Sequence, residues 1–212
     1  MGILIKMCGF TRAEDVERAC ELGVDLVGVN LVPSSPRRVS VGEAKRLFER
    51  VRSGVKRVAV LRPRRPEEVE EVYRELEPEV IQVNPLFPLS KLRRPGGELM
   101  VTVPVPQAPD EPSLLFKARE AERVGDYVLL DTEGPLGGGT GRTHDWSVSG
   151  RIRGTLGKPV FLAGGLNPEN VRRAVEEVRP DGVDVSSGIE RSPGVKEEVL
   201  MREFVRAVRA LR

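Results

Sequence analysis

Two hydrophobic periods alternate along the chain. Short β-branched runs begin with "ILIKM" from Ile3, "DLVGVN" from Asp25, "RVAVL" from Arg57 and "VIQV" from Val80. They continue with "LMVTV" from Leu99, "YVLLD" from Tyr127, "PVFLA" from Pro159 and "GVDVS" from Gly182. Each is bounded by turn residues, which predicts strands. Between them lie charged amphipathic stretches such as "RAEDVERACEL", "GEAKRLFERV", "PEEVEEVYREL" and "PENVRRAVEEV", which predict helices. A last helix is expected over roughly 195–211, with Val195, Val199, Phe204, Val205 and Val208 on one face. Alternating strands and helices imply parallel pairing with helical crossovers. Eight such units predict one α/β domain over residues 1–212, a (β/α)8 TIM barrel, with an open doubly wound sheet as runner-up. The units after strands four and six are the weakest, since "PLSKLRRPGG" and "DWSVSGRIRG" offer only short or broken helices. Thr11 with Glu14 has capping-box spacing, and Asn167 before Pro168 predicts a cap with proline at the first helical position.

Parity within the strands bears on function. Successive side chains of a strand point to opposite faces. Ile5 and Met7, Val27 and Val29, Ile81 and Val83, and Val183 and Val185 form an apolar set expected to pack under the helices. The opposite parity places Lys6, Cys8, Asn30, Gln82, Asn84, Asp131, Asp184 and Ser186 inside, toward the C-terminal ends of the strands. Active sites of this architecture are assembled there. A second reading of Lys6 and Asp184 is that they neutralise each other in the interior and do no chemistry. Two glycine-bearing loops, "LAGGLNPENV" after strand seven and "DVSSGIE" after strand eight, occupy the usual phosphate-binding positions of such a barrel. They point to a phosphorylated small-molecule substrate. "GPLGGGTGRTHDW" superficially matches a nucleotide-binding loop, but Arg142 stands where lysine is required. A flexible cover over the site is the better reading.

Composition narrows the field. The chain has 34 basic and 32 acidic side chains, a net charge of +2, so neither nucleic acid nor membrane is an expected partner. Arginine supplies 27 of the 34 basic residues, a bias that fits a thermophile. No segment is apolar for long enough to span a bilayer, no signal peptide precedes Ile3, and two cysteines make no disulfide framework. A soluble cytoplasmic protein with reduced thiols is expected. His144 is the only histidine, so no metal and no cofactor are expected. Cys20, mid-helix, reads as a buried structural thiol.

The segments "KMCGFTRAEDVERACELGVDLVGVNLVPSSPRRVS", "DTEGPLGGGTGRTHDW", "LAGGLNPENV" and "DGVDVSSGIE" together resemble phosphoribosylanthranilate isomerase. The resemblance implies a metal-free Amadori rearrangement in tryptophan biosynthesis, with Cys8 as general base and Asp131 as general acid. It implies that Arg37 holds the anthranilate carboxylate and that Gly164, Gly165, Ser187 and Gly188 surround the phosphate. Lys6, on the face of Cys8, would favour the thiolate, and Asp184 is a further supporting candidate. The family includes monomers and homodimers. The sequence departs from its pattern at Asn84 and Pro85, where histidine and glycine are usual, and at His144, where an aromatic is usual. Strand two also has "VGVNL" where phenylalanines are usual.

Rival barrels fit less well. A histidine-pathway sugar isomerase would carry aspartate in place of Cys8, and a metal-dependent epimerase would need histidine ligands. An indole-glycerol-phosphate synthase would want a catalytic lysine in another first-strand context. A non-catalytic phosphate-binding scaffold would need neither Cys8 nor Asp131.

Overall fold

The computed structural model describes residues 2–92, 96–134 and 143–211. Eight strands close into a parallel barrel in sequence order: β1 (Leu4–Cys8), β2 (Leu26–Asn30), β3 (Lys56–Leu61), β4 (Val80–Val83), β5 (Glu98–Val105), β6 (Tyr127–Thr132), β7 (Val160–Leu162) and β8 (Gly182–Val185). The expected strands are all present, displaced by at most two residues at their ends. Seven α-helices lie among the described residues: α1 (Ala13–Glu21), α2 (Val41–Phe48), α3 (Glu67–Leu76), α4 (Glu111–Val124), α5 (Trp146–Arg153), α6 (Val171–Val178) and α7 (Glu198–Arg209). The weak unit after β4 contributes only a 3-10 turn, Leu89–Lys91.

Side-chain parity partitions the strands as the alternation predicts. Ile5, Met7, Val27, Val29, Val183 and Val185 pack outward with Val16, Ala174 and Phe204 of the surrounding helices. Leu26, Val58, Val80, Met100, Leu129 and Phe161 fill the interior. Fully burying one such aliphatic side chain contributes roughly 1.5–3 kcal/mol, so these two layers dominate the barrel's stability. Phe161 meets Tyr127 edge-on at 5.6 Å and closes the floor. Above it the inward positions turn polar, and the cavity begins.

Among the described residues, α2, α4 and α5 start on side-chain caps, and the two starts whose caps the sequence predicts do not. Ser40 and Glu43 make the full capping box of α2, and Asp110 caps α4 through the amide of Ser113. Thr11 does not cap α1: its hydroxyl donates to the carbonyl of Gly194 at 2.6 Å, and Arg12 is the N-cap without a side-chain bond. Tertiary pairing wins over the local box. Asn167 accepts from the amides of Glu169 and Asn170, so it caps a turn that precedes α6 rather than the helix itself.

The chain beyond β8 also differs from expectation. Residues 195–197 are not helical. A small antiparallel hairpin, β9 (Glu190–Ser192) and β10 (Val195–Lys196), turns at Gly194 before α7 begins. Val199 is exposed, and Met201 joins Phe204, Val205 and Val208 on the buried face of α7. The glycine run of 135–142, expected to cover the site, lies outside the described residues.

Candidate active site

A cavity of about 340 Å³ opens at the C-terminal ends of the strands. Cys8 (β1), Asn30 (β2), Gln82 (β4), Asp131 (β6) and Asp184 (β8) line it, with Asn84, Ser186, Gly164, Gly165 and Ser187 from the following loops. The inward parity of five separate strands therefore converges as expected. Arg37 enters from the β2–α2 loop, and Arg62 and Thr102 join the wall.

Lys6 is not part of that wall. It is fully buried, and its Nζ donates to Asp184 Oδ1 at 2.9 Å, across a register that sets the two residues side by side on β1 and β8. Burial alone would strip its charge, but Asp184 and Cys8 more than offset that and hold its pKa above the ordinary value. The reading of Lys6 and Asp184 as a mutually neutralised pair is thus the geometry found. Asp184 also reaches the cavity, so its other side remains available there.

The three acids that line the cavity, Asp131, Cys8 and Asp184, are all shifted upward, chiefly by burial. Burial, and after it the nearby carboxylate of Asp184, push Asp131 from 3.8 up to about 7, with Lys6 pulling only partly back. Burial also raises the Cys8 thiol above its ordinary 9.0, against the opposing pull of Lys6 and Lys196. The expectation that Lys6 favours the thiolate holds in direction, but burial outweighs it. The cavity therefore combines a carboxyl that stays protonated almost to neutrality with a thiol that yields a strongly basic thiolate. Such a pair can pass protons to and from a bound molecule.

Arg37 is engaged on one edge. Its Nε and Nη2 donate to both oxygens of Glu190 at 2.7–3.0 Å, and its Nη1 has no acceptor among the described residues. Lys196, also buried, donates to Glu190 Oε1 at 2.8 Å and to the carbonyls of Ser186 and Cys8. Burial opposes the charge of Glu190, yet Arg37 and Lys196 hold its pKa below the usual carboxylate range. Gly9 makes this packing feasible: its φ is +78°, and a Cβ there would lie 2.5 Å from Cδ of Arg37. Sequence reasoning missed Arg62 and Thr102 in the wall and, behind Arg37, the pair Glu190 and Lys196. The Pro193-Gly194 pair was the available signal for a turn between them.

Gly188 lies behind the wall rather than in it. A Cβ at this position would come within 1.9 Å of the Leu166 carbonyl, so the glycine is needed for the two loops to touch. The loop after β7 is itself pinned, because Asn170 donates from its side chain to the Gly165 carbonyl at 2.9 Å. His144 is absent from the cavity. It is buried between Thr132 Oγ1 at 2.8 Å and Ser149 Oγ at 2.6 Å, and burial pushes its pKa down to about 4. It is a neutral strut beneath the end of β6. Among the described residues no three His, Cys, Asp or Glu side chains gather in a way that could hold a metal ion. Cys20 is a free thiol in the outer core, as expected.

A closed parallel barrel with its reactive groups gathered at the C-terminal mouth places the chain among the (β/α)8 enzymes. The particular family follows from sequence. The chain belongs to the family described as N-(5'phosphoribosyl)anthranilate (PRA) isomerase, whose model matches residues 5–207. The N-(5'-phosphoribosyl)anthranilate isomerase of Methanopyrus kandleri is 41% identical over 219 residues, covering 99% of this chain and 100% of that protein. The crystal structure of phosphoribosyl anthranilate isomerase from Thermotoga maritima superposes with a TM-score of 0.86 at 32% identity, covering 99% of this chain and 100% of that one. A further structure of the enzyme, in complex with reduced 1-(o-carboxyphenylamino)-1-deoxyribulose 5-phosphate, gives a TM-score of 0.84 at 30% identity, again over 99% and 100% of the two chains.

Proposed function

We propose that this chain catalyses the isomerisation of N-(5'-phosphoribosyl)anthranilate to 1-(o-carboxyphenylamino)-1-deoxyribulose 5-phosphate, the Amadori rearrangement of tryptophan biosynthesis, without metal or cofactor. Asp131 acts as the general acid. Its proton goes to the ribose ring oxygen, the C1–O bond breaks, and the nitrogen lone pair forms an iminium at C1. That cation acidifies the proton on C2, and the thiolate of Cys8 removes it to leave an enol-amine. A proton shift from the C2 hydroxyl to C1 then gives the ketone. The enzyme is left with Asp131 ionised and Cys8 protonated, and proton exchange with solvent resets it.

Arg37 holds the anthranilate carboxylate through the edge that Glu190 leaves free, since a planar fork suits a planar carboxylate. The backbone around Gly164, Gly165 and Ser187 receives the phosphate, with Gly188 shaping that loop from behind. One observation carries the reading: Asp131, protonated up to about pH 7, opens into the same cavity as Cys8. The expected setting is cytoplasmic, as a monomer or a homodimer; one similar structure is of monomers generated from the dimeric enzyme of Thermotoga maritima.

The test is direct. Purified protein is mixed with freshly generated phosphoribosylanthranilate in the presence of a chelator, and substrate fluorescence is followed. Decay well above the spontaneous rate is the expected result. Decay at the spontaneous rate refutes the assignment.

A further inference from the structure

We propose that Glu190, locked by Lys196, is a positioning residue that aims Arg37 and so sets the preference for a substrate bearing a carboxylate. This rests on the reading of Arg37 as the carboxylate ligand. An arginine side chain has four rotatable bonds, and one reaching into an open cavity would sample many directions. Here both the stem and one edge of the head are fixed. Gly9 clears a channel for the stem, and Glu190 binds Nε and Nη2 through both of its oxygens.

Glu190 cannot swing, because Lys196 holds one of its oxygens and the amide of Gly194 approaches the same oxygen at 3.3 Å. Lys196 spends its other two donors on the carbonyls of Cys8 and Ser186, at the ends of the strands that flank Gly9 and the cavity. Its own amide is held by Asp15 Oδ2 at 3.0 Å, which ties the hairpin to α1. The direction of the guanidinium is thereby referenced to the same two strands that carry Cys8 and Asp184.

Lys196 is matched from within the fold, by Glu190 at 2.8 Å and by the nearby carboxylates of Asp15 and Asp184. Arg37, which lines the cavity, shares Glu190 and keeps Nη1 without an acceptor among the described residues. Taking a charge out of water is costly unless it is paired, so this open edge favours a ligand that brings a carboxylate to it. The hairpin β9–β10 thus serves as a specificity element, although only Arg37 of this cluster lines the cavity.

The experiment compares kcat/KM for two substrates formed in situ from ribose 5-phosphate, one with anthranilate and one with aniline, which lacks the carboxylate. Turnover is read as the ketose product. Charge-assisted bonding by a fixed guanidinium predicts a wild-type preference on the order of 100-fold for the carboxylated substrate. In Glu190→Gln that preference falls by about tenfold or more. A purely structural loss lowers both substrates alike and leaves the preference intact, which overturns the proposal. A ratio also cancels the fraction of active enzyme, so partial misfolding does not mimic the effect. If Glu190→Gln yields no folded protein, Glu190→Asp keeps the charge with shorter reach, and an intermediate ratio is expected. A wild-type ratio in Glu190→Asp overturns the proposal as well. Arg37→Ala separates the two ideas. If it abolishes the preference while the Glu190 variants keep it, only the positioning role fails. If Arg37→Ala retains the preference, the carboxylate reading of Arg37 fails and the role of Glu190 falls with it.

Discussion

Replacing Asp131 with asparagine should stabilise the fold while it destroys turnover, and the gain should depend on pH in a defined direction. The folded protein keeps this carboxyl protonated up to about pH 7, whereas the unfolded chain ionises it near 3.8. Between those values the folded state binds the extra proton, so stability falls as pH rises, and above about 7 the loss is complete. Raising the pKa from 3.8 to about 7 corresponds to at most about 4 kcal/mol at about 1.4 kcal/mol per pH unit. Asp131 retains partial exposure to the cavity, and water there screens part of this, so about 2 kcal/mol is the working figure. The Asp131→Asn side chain has no charge to bury and should recover that amount at about pH 8 but at most about half of it at about pH 4.5. His144 titrates in the opposite sense. Its folded pKa of about 4 lies below 6.5, so its contribution to stability rises with pH over nearly the same window. The two groups flatten each other in the wild type, and only the difference between wild type and variant isolates Asp131. Guanidinium unfolding of both proteins at the two pH values measures that difference. Parallel stabilities at both pH values would refute the raised pKa, and turnover within a few-fold of wild type would refute the role of general acid.

Cys8→Ala should lower kcat by about two orders of magnitude or more while a product-like phosphate binds with near-normal affinity by calorimetry; near-normal turnover removes Cys8 from the mechanism. Gly9→Ala should cost about 1–2 kcal/mol for its left-handed φ and also raise KM, because its Cβ displaces the stem of Arg37. Gly23→Ala, at φ +77° with nothing within 4 Å, should cost stability alone, and an equal KM effect in both would sink the argument. His144→Ala leaves the buried hydroxyls of Thr132 and Ser149 unpaired and should lower unfolding free energy by about 2 kcal/mol or more, with kcat on prepared folded enzyme changed by less than about threefold. The pH profile of kcat/KM should rise to a limb near 7 that Asp131→Glu displaces; a profile that Asp131→Glu leaves in place assigns the limb elsewhere.

The barrel was legible because its information is local and periodic. Parity alone put Lys6, Cys8, Gln82, Asp131 and Asp184 on the inner surface, and parallel registration of β1 with β8 then made Lys6 and Asp184 neighbours. The missed features depend on partners distant in sequence. Arg37 and Glu190 are 153 positions apart, and nothing in either segment announces the pair. The hairpin β9–β10 has an exposed first strand of three residues, too short to show a period, so Val195 reads as part of the helix that follows. Thr11 and Glu14 satisfy a capping rule on paper, but Gly194 lies close enough to take the hydroxyl. Gly188 reads as a ligand-facing residue in a Ser-Ser-Gly turn, and only the position of the Leu166 carbonyl shows that packing requires it.

The protonation order at the mouth has a chemical consequence for the whole cycle. Asp131 titrates at about 7 and burial holds the Cys8 thiol above its ordinary 9.0, so between those values the prevailing form has the carboxylate charged and the thiol neutral. The proposed mechanism uses the opposite form, which is a minority of molecules over that range. That scarcity is matched by reactivity, because the minor form pairs a stronger acid with a stronger base than the reverse ordering could supply. Burial produces both properties at once: it raises the carboxyl enough to be protonated part of the time and keeps the thiolate poorly solvated and basic. In the proposed mechanism, the step that leaves Asp131 ionised and Cys8 protonated therefore runs toward the prevailing form of the free protein. A residue that lowered the Cys8 pKa further would enlarge the active fraction but weaken the base by a comparable factor. Lys6 pulls in that direction while bound to Asp184 at 2.9 Å, but burial of the thiol outweighs it.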